Sequence, residues 1–128
     1  MSNEIEVRTQ RIWLADDGII HAKLKPHVEV DRADAEEAIR AISSLCQGTR
    51  RPVFVDMSDI KFMSREARTY FAGPETAKVE SAAALLIRSP LTKAIGNFFM
   101  GLNRPLFPTR LFTSEAEALT WLRELLTR

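Results

Sequence analysis

Two short stretches of this chain are apolar at every position, Val53-Phe54-Val55 and Ala82-Ala83-Ala84-Leu85-Leu86-Ile87. Neighbouring side chains of a strand point to opposite faces, so a strand that is apolar at both parities needs cover above and below. Helical patterns follow each stretch. The combination predicts two central strands of a mainly parallel sheet, joined by right-handed crossovers and covered by helices. The longer run has six residues, far short of the roughly 20 that cross a bilayer.

Four helices are predicted. Asp31 caps the first, with Asp34 and Glu36 early in it, and its apolar face is Ala35, Ala38, Ile39, Ile42, Leu45 and Cys46, with Gly48 as the stop. Ser64 caps the second, whose inner side is Ala67, Tyr70 and Phe71 before Gly73-Pro74; a turn through Glu75–Val79 follows. Ser89-Pro90 opens the third, with a stripe of Leu91, Ala94, Ile95, Phe98, Phe99 and Leu102. Ser114-Glu115-Ala116-Glu117 is a capping box for the fourth, which is expected to bury Ala118, Leu119, Leu122, Leu125 and Leu126.

The first 25 residues read differently. Ile5 and Val7 share one parity and Ile12 and Leu14 the other, which calls for a bulge or break near Arg8–Arg11. Asp16-Asp17-Gly18 is a turn, and Ile20, Ala22 and Leu24 alternate with polar residues. These two segments predict an antiparallel hairpin at one edge of the sheet. Thr109–Thr113 predicts a last short strand. The expected fold class is α/β, one domain over 1–128.

Composition narrows function by exclusion. Lys and Arg number 18 against 17 Asp and Glu, a net charge of +1, so a nucleic-acid partner is not expected. One cysteine forbids an intrachain disulfide and fits a reducing, cytoplasmic setting. The polar start Met1-Ser2-Asn3-Glu4 shows no secretory signal, and no stable membrane insertion is expected. His21 and His27 lack ligand spacing, so neither a metal nor another cofactor is expected, and Cys46 on its helical stripe is read as packed.

The segment Val55-Asp56-Met57-Ser58-Asp59-Ile60-Lys61-Phe62-Met63-Ser64-Arg65-Glu66-Ala67, together with the element order, resembles the anti-sigma-factor antagonist (STAS, SpoIIAA-like) superfamily. The matching pattern is Asp-x-Ser-x-Ile-x-Phe after an apolar strand. Ser89–Leu122 also resembles small stand-alone bacterial members. The resemblance implies a SpoIIAA-like domain whose partner is another protein, of the regulatory-kinase or sigma-pathway kind. Relatives are phosphorylated on a serine at the start of the helix after this strand. In register from Asp56 that position falls on Glu66, and Ser64 lies two residues earlier. Three alternatives follow: no switch, Ser64 as a substitute acceptor, or Glu66 as a fixed negative charge.

Each candidate residue has a plain reading beside its functional one. Asp56, Ser58 and Asp59 end a central strand, where open α/β sheets hold ligands, yet Asp and Ser also satisfy backbone donors in such loops. Ser64 is either a modified serine or a helix cap. Arg88, Ser89 and Lys93 could hold an anion at a helix start, or simply cap it. Arg65, Arg68, Arg88, Lys93 and Arg104 form one basic rim only if the fold brings them together. Phe98, Phe99, Met100, Leu102, Leu106 and Phe107 make the most apolar stretch; Phe98, Phe99 and Leu102 fit the stripe of the third helix, while Met100, Leu106 and Phe107 either face outward, toward a partner, a second copy or a lipid-like ligand, or fold back on the core.

Three functions are compatible with this inventory. The first is a non-enzymatic interaction module docking through Asp56, Ser58, Ser64, Arg65, Glu66 and Arg68. The second is a binder of a small apolar or lipid-like ligand, with Arg88, Ser89, Lys93, Phe98, Met100 and Phe107 as its pocket. The third, an enzyme using Asp56 and Asp59, ranks last because no base, nucleophile or metal set accompanies them. A homodimer fits either of the first two.

Overall fold

The computed structural model of the protein describes residues 4–127; Met1-Ser2-Asn3, at the polar start, lie outside them. Six strands form the main sheet: β1 (Glu4–Glu6), β2 (Gln10–Leu14), β3 (Ile20–Leu24), β5 (Arg51–Asp56), β7 (Glu80–Leu86) and β8 (Thr109–Phe112). They lie side by side in that order. β2 runs antiparallel to both β1 and β3, and β3, β5, β7 and β8 run parallel. The two wholly apolar runs are therefore adjacent central strands, as their parity requires.

The odd parity of the N-terminal segment has a simple cause. Val7 N–H donates to Gln10 O at 3.0 Å, the chain reverses, and Ile5 comes opposite Ile12. What the sequence presents as one broken strand is a pair, and both isoleucines pack in the same apolar cluster. β1 and β8 are the sheet margins. Glu4 and Glu6 on β1 are ion-paired to Arg11 (3.0 Å) and Lys25 (2.9 Å), while Pro108 precedes β8 and Arg110 stands exposed on it.

Helices α1 (Arg32–Leu45), α2 (Arg65–Ala72) and α4 (Pro90–Phe98) cover one face, where Val53, Ala83, Leu85 and Ile87 point. Helix α5 (Glu115–Leu126) covers the other, over Phe54, Ala82, Ala84 and Leu86, and inserts Ala118 and Leu122. Leu126, expected inside, is exposed, since Leu119, Trp121 and Leu125 already complete that contact. The Ser114 capping box is half made: Ser114 Oγ accepts from Glu117 N–H at 3.3 Å. The turn after Gly73 contains one helical turn, α3 (Pro74–Ala77).

The expected stripe of α4 is corrected by one position. Its inner face is Thr92, Ile95, Gly96 and, just beyond the helix, Phe99, whereas Leu91, Ala94, Phe98 and Leu102 are exposed. Two residues that hydrophobicity does not rank set this rotation. Thr92 Oγ1 accepts from Arg88 and Ser89 N–H, both at 3.0 Å, which pulls Thr92 inward. Gly96 lies so close to Leu111 that a Cβ there would meet its Cδ2 at 3.0 Å. A π turn (Phe99–Asn103) follows, ending at Arg104 with φ +49°.

Candidate interaction surface

Two tiny strands, β4 (Glu29–Val30) and β6 (Phe62–Met63), pair in parallel and bring the starts of α1 and α2 together. Asp31 Oδ1 accepts from Arg32 N–H at 2.8 Å, and Asp34 returns the bond by accepting from Asp31 N–H at 3.0 Å. Ser64 Oγ accepts from Ala67 N–H at 3.1 Å and donates to Asp31 Oδ1 at 3.2 Å. Its hydroxyl is thus used twice. Arg65 and Glu66, in the first turn of α2, point outward.

Behind these caps lies a charge pair that the sequence does not announce. Arg8, in the β1–β2 turn, grips buried Asp34 with two donors (Nε to Oδ1 at 2.7 Å) and donates to Glu29 O at 2.7 Å. The Arg8 hydrogen bonds hold the Asp34 carboxyl below the usual carboxylate range. The two residues are 26 positions apart, and no periodicity links them.

At the end of β5, Asp56 Oδ1 accepts from both the N–H (3.1 Å) and the hydroxyl of Ser58. Ser58 is buried and Asp59 is exposed. This is an Asx-type turn that satisfies its own donors, the plain reading of these residues. The start of α4 resolves the same way. Thr92 N–H goes to Ser89 Oγ at 3.1 Å, and with the Arg88 and Ser89 amides spent on Thr92 the helix start is capped from within. Arg88 and Lys93 are exposed.

The apolar candidates divide. Phe107 is buried, Met100 is half-buried against the core, and Phe98, 51% exposed, lies on the surface. Arg68 connects Phe98 to α2: its guanidinium carbon is 5.7 Å from the Phe98 ring centroid, and its Nη1 donates to Met63 O at 2.9 Å. Leu102 and Leu106 continue the exposed strip at 71% and 63%. Sequence reading had placed Phe98 and Leu102 inside and so missed this surface; the signal available was Gly96, the small residue at the true contact.

Beneath α1, α2 and α4 lies a cavity of about 50 Å³ with an apolar lining that includes Phe71, Ala83, Leu85, Phe99 and Phe107. Gln10 and Glu80 are its polar members. Burial alone pushes the Glu80 carboxyl up to about 8. The β5–β7 register shifts between Arg51 and Pro52, so that Arg51 pairs with Glu80 but Pro52 with Ala82. Proline has no ladder donor, and the resulting irregularity turns Glu80 toward Ile42 and Phe71. Among the described residues, no cluster of three or more His, Cys, Asp or Glu is placed to hold a metal ion, and no helix is long and apolar enough to cross a membrane.

The family model DUF7793, a domain of unknown function, matches residues 12–126. This chain belongs to that family. Among curated protein sequences none matches the DUF7793 chain. Solved structures do. One is an uncharacterised protein of family DUF3478 with a SpoIIAA-like fold from Shewanella loihica PV-4, at 18% identity and TM-score 0.62, covering 92% of this chain and 97% of that one. Another is an anti-sigma factor antagonist from Mycobacterium paratuberculosis, at 20% identity and TM-score 0.64, covering 93% and 99%. A third is the anti-sigma factor antagonist SpoIIAA in its unphosphorylated form, at 19% identity and TM-score 0.60, covering 89% and 97%. At such identities the likeness establishes the fold, and the fold of this DUF7793 chain is SpoIIAA-like.

Proposed function

We propose that the chain is a non-enzymatic protein-interaction module that docks a regulatory partner through the start of α2. The observation that carries this reading is the yoked pair of helix caps: Ser64 is held by Asp31, and the adjacent Arg65 and Glu66 are presented to solvent. The anti-sigma factor antagonists that share the fold support it by analogy. Glu66 supplies a permanent carboxylate where phosphorylated relatives add charge, and Ser64 serves as a cap. A phosphate on Ser64 would face the Asp31 carboxylate, an unfavourable neighbour for a dianion. The cavity lined by Phe99 and Phe107, at about 50 Å³, is well below the roughly 300 Å³ at which small-molecule sites begin, which speaks against a lipid-sized ligand beneath α4.

A pull-down with the intact chain tests it. A partner retained by the wild type should be lost by about tenfold or more with Glu66→Lys, a change at an exposed position, and be kept by Ser64→Ala. If no partner is retained, or if Glu66→Lys leaves retention unchanged, the surface is wrongly assigned.

A further inference from the structure

Helix α5 is alone on its face of the sheet, and a helix about 10 Å across covers roughly two strands set about 4.8 Å apart. It takes the half built from Phe54, Ala82, Ala84 and Leu86. The half built from β2 and β3 stays open, and there the side chains change from alanine and leucine to Trp13 and His21, both half-buried. Their rings stack at 5.1 Å, and Phe54 meets His21 edge-on at 5.5 Å. Cross-strand pairing accounts for this ladder, since Trp13 lies opposite His21 and His21 opposite Phe54 in the register.

Pairing does not account for the cleft beside it. A hollow of about 220 Å³ lies between these rings, Lys23, Asp56 and, from the first turn of α5, Glu115. It opens at the carboxyl ends of the parallel strands β3 and β5, where open α/β sheets hold their ligands. The volume is below the roughly 300 Å³ at which sites for drug-sized molecules begin, so an occupant is small.

The charges around the cleft identify its class. Neighbouring charges on this face are engaged with one another: Arg11 with Glu4 at 3.0 Å, and Arg123 with Asp17 at 3.1 Å. Among the described residues, Lys23, Asp56 and Glu115 enter no ion pair, although Lys23 and Asp56 are register partners on adjacent strands. Asp56 commits Oδ1 to Ser58 and leaves Oδ2 free to accept. Burial holds His21 below the usual imidazole range, so at neutral pH it adds no charge. The cleft therefore offers one cation, two carboxylates and an aromatic wall. A plain anion would meet two like charges, and a plain cation would leave Lys23 unanswered. A molecule that carries both charges on one carbon, with a flat apolar body, answers all of these groups.

We infer that this cleft binds a free α-amino acid with an aromatic side chain, its ammonium on Asp56 and Glu115, its carboxylate on Lys23 and its ring against Trp13, His21 and Phe54. The site lies on the face of the sheet opposite α2, so the inference stands independently of the docking reading.

Calorimetric titration of the intact chain with three probes that share a phenyl ring tests it. They are L-phenylalanine, phenethylamine, which lacks the carboxylate, and 3-phenylpropionate, which lacks the ammonium. Phenylalanine should bind with a Kd of about 1 mM or tighter, and the other two at least about tenfold more weakly. Lys23→Ala, at an exposed position, should weaken phenylalanine about tenfold and leave phenethylamine unchanged. Glu115→Lys, also at an exposed position, should weaken both. No binding of phenylalanine up to about 10 mM, equal binding of the three probes, or an affinity for phenylalanine indifferent to Lys23→Ala overturns the inference. So does phenethylamine matching phenylalanine, the behaviour of a site for plain organic cations.

Discussion

Ser64 donates its hydroxyl to Asp31 across 3.2 Å, so the N-caps of two different helices are bonded to each other. Each cap also serves its own helix. Removing either costs about 1 kcal/mol, within a range of roughly 0.5–2. Urea denaturation of Ser64→Ala, Asp31→Ala and the double variant should give a coupling energy of about 0.5 kcal/mol or more. Strict additivity would mean that the bond contributes nothing.

The adjacent phenylalanines Phe98 and Phe99 should behave oppositely. Phe99 is 6% exposed and lines the cavity, while Phe98 is half in solvent. Phe99→Ala should cost about 3–5 kcal/mol. Phe98→Ala should cost under about 1 kcal/mol, chiefly the lost contact with Arg68. Thermal and urea unfolding distinguish them, and equal losses would contradict the rotation of α4.

Glu80 makes stability fall with pH. Its carboxyl titrates near 4.5 when the chain is unfolded and near 8 when buried, so folding takes up a proton between these values. The folded state is favoured below about pH 4.5 and loses that advantage as pH climbs toward 8 and beyond. Glu80→Gln abolishes the dependence and should gain on the order of 5 kcal/mol relative to wild type between pH 4.5 and 8. Denaturation midpoints at several pH values check this; parallel curves for the two proteins would refute it.

Asp34 works in the opposite direction. Hydrogen bonds from Arg8 lower its folded pKa, so its contribution is complete above the unfolded value of about 4 and disappears as pH drops through the lowered one. Asp34→Asn should cost roughly 1–3 kcal/mol at neutral pH and flatten the acid limb of the stability curve. An acid limb identical to wild type would show that the Arg8 pair does not form in solution.

Features written in consecutive residues were legible from sequence. Val53–Val55 and Ala82–Ile87 announce central strands because parity allows little else, and Asp31, Ser64 and Ser89 announce helix starts because their side chains bond their own backbone. What escaped depends on residues that meet only after folding. Arg8 reaches Asp34, and β4 meets β6, across stretches with no shared pattern. The α4 stripe went astray because Thr92 is drawn inward by hydrogen bonds and Gly96 by clearance, while hydropathy ranks both below Leu91 and Phe98. Pro52 was a visible hint of the irregularity that turns Glu80 inward, since proline inside a strand must break a ladder bond.

The margins of the sheet have a last consequence. An incoming strand would have to zip against Glu4 and Glu6 on one side, or start beside Pro108 and Arg110 on the other. Charged and proline-interrupted borders of this sort discourage runaway stacking of backbones. On the proposed docking reading, contacts with other molecules would fall away from the rim and onto the helical roof, where side chains rather than main-chain amides would decide who is admitted.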